Sequence, residues 1–179
     1  MLVQLNDEIQ AAREVTKTSN WRMQTFRTPD FGVLGHADAD RIAYYRRPER
    51  RHMPDTEFDL AGLDALPRVD IAYAYAGSDG SAMRAFIAAG AKGLVSAGFA
   101  PGMPPAADLA AMEEAVKQGI VVVQSSRAGS GRIFRGQKLA RAGVLAADNL
   151  NPQKARLLLA LALTRTTDPA EIARIFATY

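Results

Sequence analysis

The feature that most constrains the fold is an alternation of apolar, strand-like runs with helix-like segments. The runs are residues 69–75, 91–97 and 120–123, and the segments between them have apolar residues at helical spacing before Gly90 and Gly119. This order predicts parallel strands, right-handed crossovers and a doubly wound layer of helix, sheet and helix. The last run is entirely β-branched, which is typical of a strand covered on both faces. The sequence therefore predicts an α/β fold.

The end of the chain carries a further strand pattern and two helix start signals. A short apolar run at 143–147 predicts a strand. Asn151 followed by Pro152, and Asp168 three residues before a glutamate, are residue patterns that cap helix N-termini. The leucine-rich body at 157–163 is apolar nearly all round, so we expect it to be the most buried helix.

The first part of the chain has a less regular pattern. Residues 1–5 are apolar and end at a polar pair, which predicts a buried strand. Residues 6–31 show no sustained period and are predicted to be functional loop or irregular structure. Two β-prone runs, 31–35 and 41–45, flank a polar turn and predict a hairpin with an exposed His36 at its tip.

Composition excludes several classes of site and partner. The chain has no cysteine, so disulfides, thiolate catalysis and cysteine-ligated metals are excluded. No apolar run approaches the roughly 20 residues of a membrane helix. The net charge is +3, but acidic residues adjoin the arginine cluster at 46–51 and no recognition motif accompanies it. We therefore predict no cofactor, no metal, no nucleic acid and no membrane partner.

Three loops are candidates for ligand binding because they follow the predicted parallel strands. In such sheets, ligands bind outside the carboxyl ends of the strands. The loops are residues 76–79, 97–103 and 125–131. The glycines and arginines around the last loop could cradle an anion at backbone amides. It lacks the Gly-Lys-Ser/Thr ending of a P-loop, and a plain flexible connection remains the alternative.

A candidate catalytic group lies in the stretch 13–18, where Lys17 stands between Thr16 and Thr18. A lysine held near hydroxyls and carboxylates can shift its pKa and exchange protons with a nucleophile. The alternative is a solvated lysine on a loop, since most lysines are exposed. The six residues alone leave both interpretations open.

A resemblance favours the first interpretation, because several stretches together resemble the bacterial type II L-asparaginases, which include glutaminase-asparaginases. The stretches run in the family's order through the whole chain. They are Asn6-Asp7 and residues 12–18, 31–35, 70–73, 93–98, 125–127 and 150–156. The resemblance implies hydrolysis of the side-chain amide of asparagine, and less readily of glutamine, to the acid and ammonia.

The resemblance also implies a domain organisation. It makes residues 1–47 the end of an N-terminal flavodoxin-like domain and residues 69–179 a smaller, three-layer C-terminal domain with a parallel sheet. The polar stretch between them, 48–68, contains three prolines and is predicted to be a linker. The family's Thr-Gly-Gly-Thr-Ile and His-Gly-Thr-Asp types of motif are absent from these residues. We therefore expect a missing N-terminal half to carry them, and these residues alone to be inactive.

The same resemblance implies site residues. Lys17 matches the lysine that acts with a threonine and an aspartate in the family's second catalytic group. Gly77 stands where relatives have a substrate-contacting asparagine, so the contact is expected to be missing or moved to Ser78 or Asp79. A glutamate that some relatives supply after the stretch 125–127 has no evident counterpart, which puts a preference for glutamine in question.

The resemblance implies partners as well. Asparagine or aspartate is the expected small-molecule ligand, and a homo-oligomer, a tetramer in the family, is the expected assembly. The expected compartment is periplasmic or cytoplasmic, for a soluble protein. A different class of function remains open: a non-catalytic α/β module for oligomerisation or small-ligand binding, built on residues 69–179.

Overall fold

The computed structural model describes all 179 residues, and they form two compact units. The first unit is Met1–Asp55 and the second is Thr56–Tyr179. None of the helices is both long enough and apolar enough to cross a bilayer.

The first unit contains only β-strands, and they are short. In chain order they are β1 (Leu2–Leu5), β2 (Glu8–Ala11), β3 (Thr16–Lys17), β4 (Phe26–Arg27), β5 (Gly35–Ala37) and β6 (Ile42–Tyr44). An antiparallel sheet has the order β1-β2-β5-β6, and β3 pairs with β4 in a separate two-stranded hairpin. Three of these strands lie within residues 6–31, so the prediction of irregular structure holds there only for the residues between the strands.

The start of the chain differs from the prediction of a buried strand. β1 pairs only with β2, at the edge of the sheet, and its residues alternate between exposed and half-buried. Asn6 and Asp7 join the two strands with φ of 49° and 62°, the left-handed conformation that a tight two-residue hairpin turn requires. The polar pair therefore reverses the chain and does not simply end a strand.

The predicted hairpin around residue 38 is confirmed, but its turn is displaced. β5 and β6 pair antiparallel, and the turn is closed by a hydrogen bond of 2.9 Å from the Asp38 amide to the Arg41 carbonyl. His36 lies within β5, opposite Ala43, and is half-buried. The prediction of an exposed histidine at the tip was therefore wrong.

The second unit alternates strands and helices. In chain order they are β7 (Val69–Tyr73), α1 (Ser81–Ala88), β8 (Gly93–Gly98), α2 (Ala106–Lys117), β9 (Val121–Ser126), α3 (Gln137–Arg141), β10 (Leu145–Ala146), α4 (Pro152–Ala162) and α5 (Pro169–Thr178). All three strand pairings are parallel and the strand order follows the sequence, β7-β8-β9-β10. The predicted α/β class with a parallel sheet is confirmed, whereas the short helix α3 was not predicted.

Two apolar clusters cover the two faces of this sheet. Because side chains alternate along a strand, Leu94 packs with α1, α2 and α3, while Val95 packs with α4 and α5. The three layers agree with the prediction, but the winding does not. Successive right-handed crossovers that advance in one direction place their helices on one face. The other face is covered by α4 and α5 at the end of the chain.

The two predicted helix starts are confirmed by their caps. The Asn151 side chain accepts a hydrogen bond of 3.0 Å from the Lys154 amide, and Asp168 accepts one of 3.1 Å from the Ala170 amide. Helix α4 is less uniformly buried than expected. Leu159 is fully buried, but Leu157 is 52% exposed, so one face of the helix meets solvent.

The stretch 48–68 has no helix or strand, as expected of a linker. Its later residues nevertheless pack within the second unit. The Glu57 carboxylate accepts a hydrogen bond of 2.5 Å from Arg174, and the Phe58 ring lies 5.1 Å from the ring of Tyr179. The division into residues 1–47, 48–68 and 69–179 remains a prediction.

Candidate functional site

Lys17 is the second residue of β3, in the first unit, and lies directly opposite Phe26 of β4. Its side chain is exposed, and its ammonium group makes no hydrogen bond or ion pair. The cross-strand pairing fixes the backbone from which the side chain projects. The site thus offers an accessible amine on a defined hairpin.

The groups expected to surround Lys17 are engaged elsewhere. Successive side chains of a strand point to opposite faces, so Thr16 and Thr18 project away from the face of Lys17. The Thr18 hydroxyl donates a hydrogen bond of 2.9 Å to the Thr25 carbonyl, inside the hairpin. The Glu14 carboxylate lies 3.2 Å from the Arg46 guanidinium. Within this unit, the Thr18 hydroxyl and the Glu14 carboxylate are therefore engaged with groups other than the amine.

The loop after Lys17 is closed by its own side chains. The Ser19 amide donates to the Thr25 hydroxyl at 3.1 Å, and that hydroxyl donates back to the Ser19 carbonyl. The Ser19 hydroxyl accepts from the amides of Trp21 and Arg22 at 3.3 and 3.1 Å. This closed loop presents Trp21, which is 94% exposed, a short distance along the chain from the candidate lysine.

The loop predicted to contact substrate, Gly77–Asp79, follows β7 in the second unit. The Ser78 hydroxyl donates a hydrogen bond of 2.8 Å to one oxygen of Asp108, and the Gly80 amide donates one of 3.0 Å to the other. The Asp79 carboxylate accepts one of 3.0 Å from the Ser81 amide at the start of α1. Hydrogen bonds from Ser81, its side chain first, hold the pKa of Asp79 below its usual range. The polar groups of Ser78 and Asp79 are therefore already engaged.

Sequence reasoning missed Asp108 as a residue of this loop. Asp108 lies in the first turn of α2, where an acidic residue is ordinarily explained by the helix dipole. It is only 5% exposed and holds a loop 28 to 30 residues away in sequence. No local pattern in the sequence indicates such a partner.

The loop predicted to cradle an anion is fastened by its arginines. The Arg127 guanidinium donates a hydrogen bond of 2.7 Å to the Ala74 carbonyl and lies 4.8 Å from the centre of the Phe99 ring. The Arg127 amide donates to the Gly98 carbonyl at 3.0 Å. Arg132 pairs with Asp148 at 2.7 Å. These contacts join the segments that follow β7, β8 and β9, and they hold the loop more firmly than the plain flexible connection that was the alternative.

The candidate site residues fall in both units. Lys17 belongs to the first unit, whereas Gly77, Ser78 and Asp79 belong to the second. Within the second unit, the parallel strands bring the three predicted ligand-binding loops to one edge of the sheet. Gly77 has a φ of 85° and contributes only backbone groups to that edge.

Comparison with known proteins identifies two matching family models. The model of the N-terminal asparaginase domain matches residues 1–50, and that of the glutaminase/asparaginase C-terminal domain matches residues 68–176. A probable periplasmic L-asparaginase of Haemophilus influenzae is 43% identical over 178 residues, covering 98% of this chain and 51% of the relative. L-asparaginase 2 of Bacillus subtilis is 43% identical over 178 residues, and the match covers 99% of this chain and 47% of the relative.

A solved structure gives the same result for the fold. The crystal structure of a probable cytoplasmic L-asparaginase from Campylobacter jejuni matches with a TM-score of 0.96 and 38% identity. The match covers 99% of this chain and 58% of that one. The chain thus spans about half the length of the curated relatives it matches.

Proposed function

The chain belongs to the glutaminase/asparaginase family, and from this premise we propose that it takes part in hydrolysing the side-chain amide of asparagine. Water and asparagine give aspartate and ammonia. The proposal concerns a complete active site, because the chain spans about half the length of its curated relatives. The observation that carries it is the match along nearly all of the chain to proteins named as L-asparaginases.

In this proposal Lys17 handles the proton of the nucleophile. Acyl transfer requires a hydroxyl nucleophile, a group that removes its proton and donors for the developing oxyanion. The family resemblance assigns the second role to Lys17, whose backbone is fixed by pairing with Phe26. The nucleophile and the oxyanion donors would come from the part of the relatives that lies outside their match to this chain.

The loop Gly77–Asp79 would contribute substrate contacts through its backbone. Its place after a parallel strand is where α/β sheets bind ligands. The hydrogen bonds of Ser78 and Gly80 to Asp108 would hold the loop in one conformation. Because Gly77 has no side chain, we expect this loop to discriminate between substrates less strongly than a loop with asparagine at position 77 would.

The test is ammonia release from asparagine. This chain would be joined to the half of the Haemophilus influenzae relative that lies outside the match, and Lys17→Ala would be compared with the unchanged fusion. General acid-base groups contribute about 10²- to 10⁴-fold, so we expect a loss of about 100-fold or more. Lys92→Ala, at another exposed lysine, serves as the control. An active fusion indifferent to Lys17→Ala would remove this lysine from the mechanism.

A non-catalytic α/β module is the second candidate, because the Ser78, Asp79 and Arg127 side chains all make contacts within the second unit. Titration calorimetry of the chain with aspartate tests this candidate, because a heat of binding would contradict a module of purely structural function. Under either candidate we propose a homo-oligomer, with four copies as the family resemblance implies, which sedimentation velocity would test.

A further inference from the structure

We propose that Gln10 and Thr28 are positioning residues for Lys17, holding the β3–β4 hairpin from which the lysine projects. The inference rests on the proposed role of Lys17. Neither residue contacts the amine, so both act through the hairpin backbone.

Gln10 links the four-stranded sheet to the hairpin through both ends of its amide. It belongs to β2 and is fully buried. Its Nε2 donates a hydrogen bond of 2.9 Å to the Phe26 carbonyl of β4. Its Oε1 accepts one of 2.8 Å from the hydroxyl of Thr28, which is 7% exposed. A second, longer hydrogen bond of 3.4 Å runs from Nε2 to Glu8.

The Phe26 carbonyl is available to Gln10 because of the pairing in the hairpin. In an antiparallel pair of strands, directly opposed residues alternate between two kinds of pair. In the first kind the two residues exchange backbone hydrogen bonds, and in the second kind their backbone N–H and C=O groups point away from the partner strand. The Thr18 amide donates to the Thr25 carbonyl at 2.7 Å, so the adjoining pair, Lys17 and Phe26, is of the second kind. Gln10 therefore holds the outward carbonyl of the residue directly opposite Lys17.

The hairpin needs such anchors because its two strands have only two residues each. A two-stranded hairpin is at best marginally stable by itself in water. Besides the buried anchor at Phe26 and Thr28, Asn6 donates a hydrogen bond of 2.9 Å to the Met23 carbonyl, but that contact is exposed. The hydrogen bond between Thr28 and Gln10 is buried and the one from Gln10 to Phe26 is partly buried, so both are better shielded from competition by water, and we assign the position of Lys17 chiefly to them.

The decisive variants are Thr28→Val and Thr28→Ser. Valine keeps the shape of threonine and removes the hydroxyl, whereas serine keeps the hydroxyl. In the fusion with the relative, we expect Thr28→Val to lower kcat about 10-fold, because small displacements of a reacting group cost up to about 100-fold. KM should stay within about twofold if the lysine acts only in the transition state. Thr28→Ser should retain most of the kcat.

Hydrogen exchange of the 179-residue chain tests the anchor without relying on activity. We expect the Thr18 amide to exchange about 10-fold faster in Thr28→Val than in the unchanged chain. The Ala37 amide, bonded to the Asp7 carbonyl at 2.9 Å, should not change and shows that the unit remains folded. Faster exchange at both amides would mean general unfolding and would overturn the local role.

The outcomes separate this inference from the proposed function. Unchanged exchange at Thr18, or a kcat of Thr28→Val equal to that of Thr28→Ser, overturns the positioning role. If Lys17→Ala abolishes ammonia release while Thr28→Val is fully active, the proposed function stands and the inference fails. An active fusion that tolerates Lys17→Ala refutes the role of the lysine itself, and the positioning role fails with it.

Discussion

β8 and β9 of the second unit have six residues each, all of them buried, whereas β3 and β4 of the first unit have two each. The second unit is stabilised by apolar clusters on both faces of a parallel sheet. The first unit relies more on buried or half-buried polar side chains that reach across strands. Besides Gln10, Arg46 donates hydrogen bonds to the carbonyls of Val33 and Gly32 and to Glu14. The candidate catalytic lysine lies in the unit with the polar links.

The difference teaches where rigidity comes from in each unit. Apolar packing tolerates small rearrangements because it has no direction. A hydrogen-bonded link such as Gln10 fixes direction and distance, but the loss of one partner leaves a buried polar group unpaired. We therefore expect the second unit to respond to substitution through packed volume, and the first through backbone geometry and hydrogen bonding.

The largest expected effect tests the apolar side of this comparison. Leu159→Ala removes a fully buried side chain of α4 and should lower the free energy of unfolding by about 2–5 kcal/mol. Leu157→Ala, two residues earlier on the same helix and 52% exposed, is the matched control and should cost much less. Urea unfolding followed by circular dichroism measures both. Equal losses would show that α4 is not held by its buried face.

A smaller effect tests the geometric side, at glycines in the two units. A Cβ on Gly35 would collide with the Ala43 carbonyl on β6, and backbone cannot move aside easily. A Cβ on Gly93 would lie 2.8 Å from the end of the Leu159 side chain, which can shift. We expect Gly35→Ala to cost about 1–3 kcal/mol and Gly93→Ala to cost less.

Hydrogen exchange of the Leu34 amide, which donates a hydrogen bond to the Ile9 carbonyl, would measure the destabilisation caused by Gly35→Ala. Urea unfolding followed by circular dichroism would measure the destabilisation caused by Gly93→Ala. A greater cost for Gly93→Ala would reverse the comparison, because it would make the packed unit the less tolerant one.

The smallest effect concerns charge on the surface of the second unit. The hydrogen bond from Arg84, at 2.8 Å, holds the pKa of Glu114 below its usual range. A lowered pKa in the folded state contributes stability above the unfolded value, about 4.3, and that contribution is lost as the pH falls through the folded value. Glu114→Gln should therefore lower Tm slightly at pH 7, and the difference should shrink at pH 3. A difference that grew on acidification would contradict this assignment.

The fold of the second unit was predictable because its pattern is local. Runs such as 120–123 are long enough to show burial on both faces, and the caps at Asn151 and Asp168 lie within three residues of their partners. Strands of two residues, such as β3, are too short to show any period. The turn at Asn6-Asp7 did carry a signal, since asparagine and aspartate tolerate the left-handed conformation between two β-prone runs.

The site was predictable only in part, for a related reason. The family resemblance singled out Lys17 and Gly77, but not the residues that hold their surroundings. Gln10 accepts a hydrogen bond from Thr28, which is 18 residues away in the sequence, and Asp108 accepts one from Ser78, which is 30 residues away. Such partners depend on the tertiary fold, and no periodicity or spacing in the sequence indicates them.

The amide of Gln10 also constrains how this sequence can diverge. Its nitrogen faces a carbonyl and its oxygen faces a hydroxyl, so neither a carboxylate nor an apolar side chain can replace it without leaving a neighbour unmatched. Where position 10 becomes apolar, the hydroxyl at position 28 loses its acceptor and selection no longer maintains it for that purpose. The two positions should therefore mutate as a correlated pair among descendants of this chain, although they are far apart in the sequence.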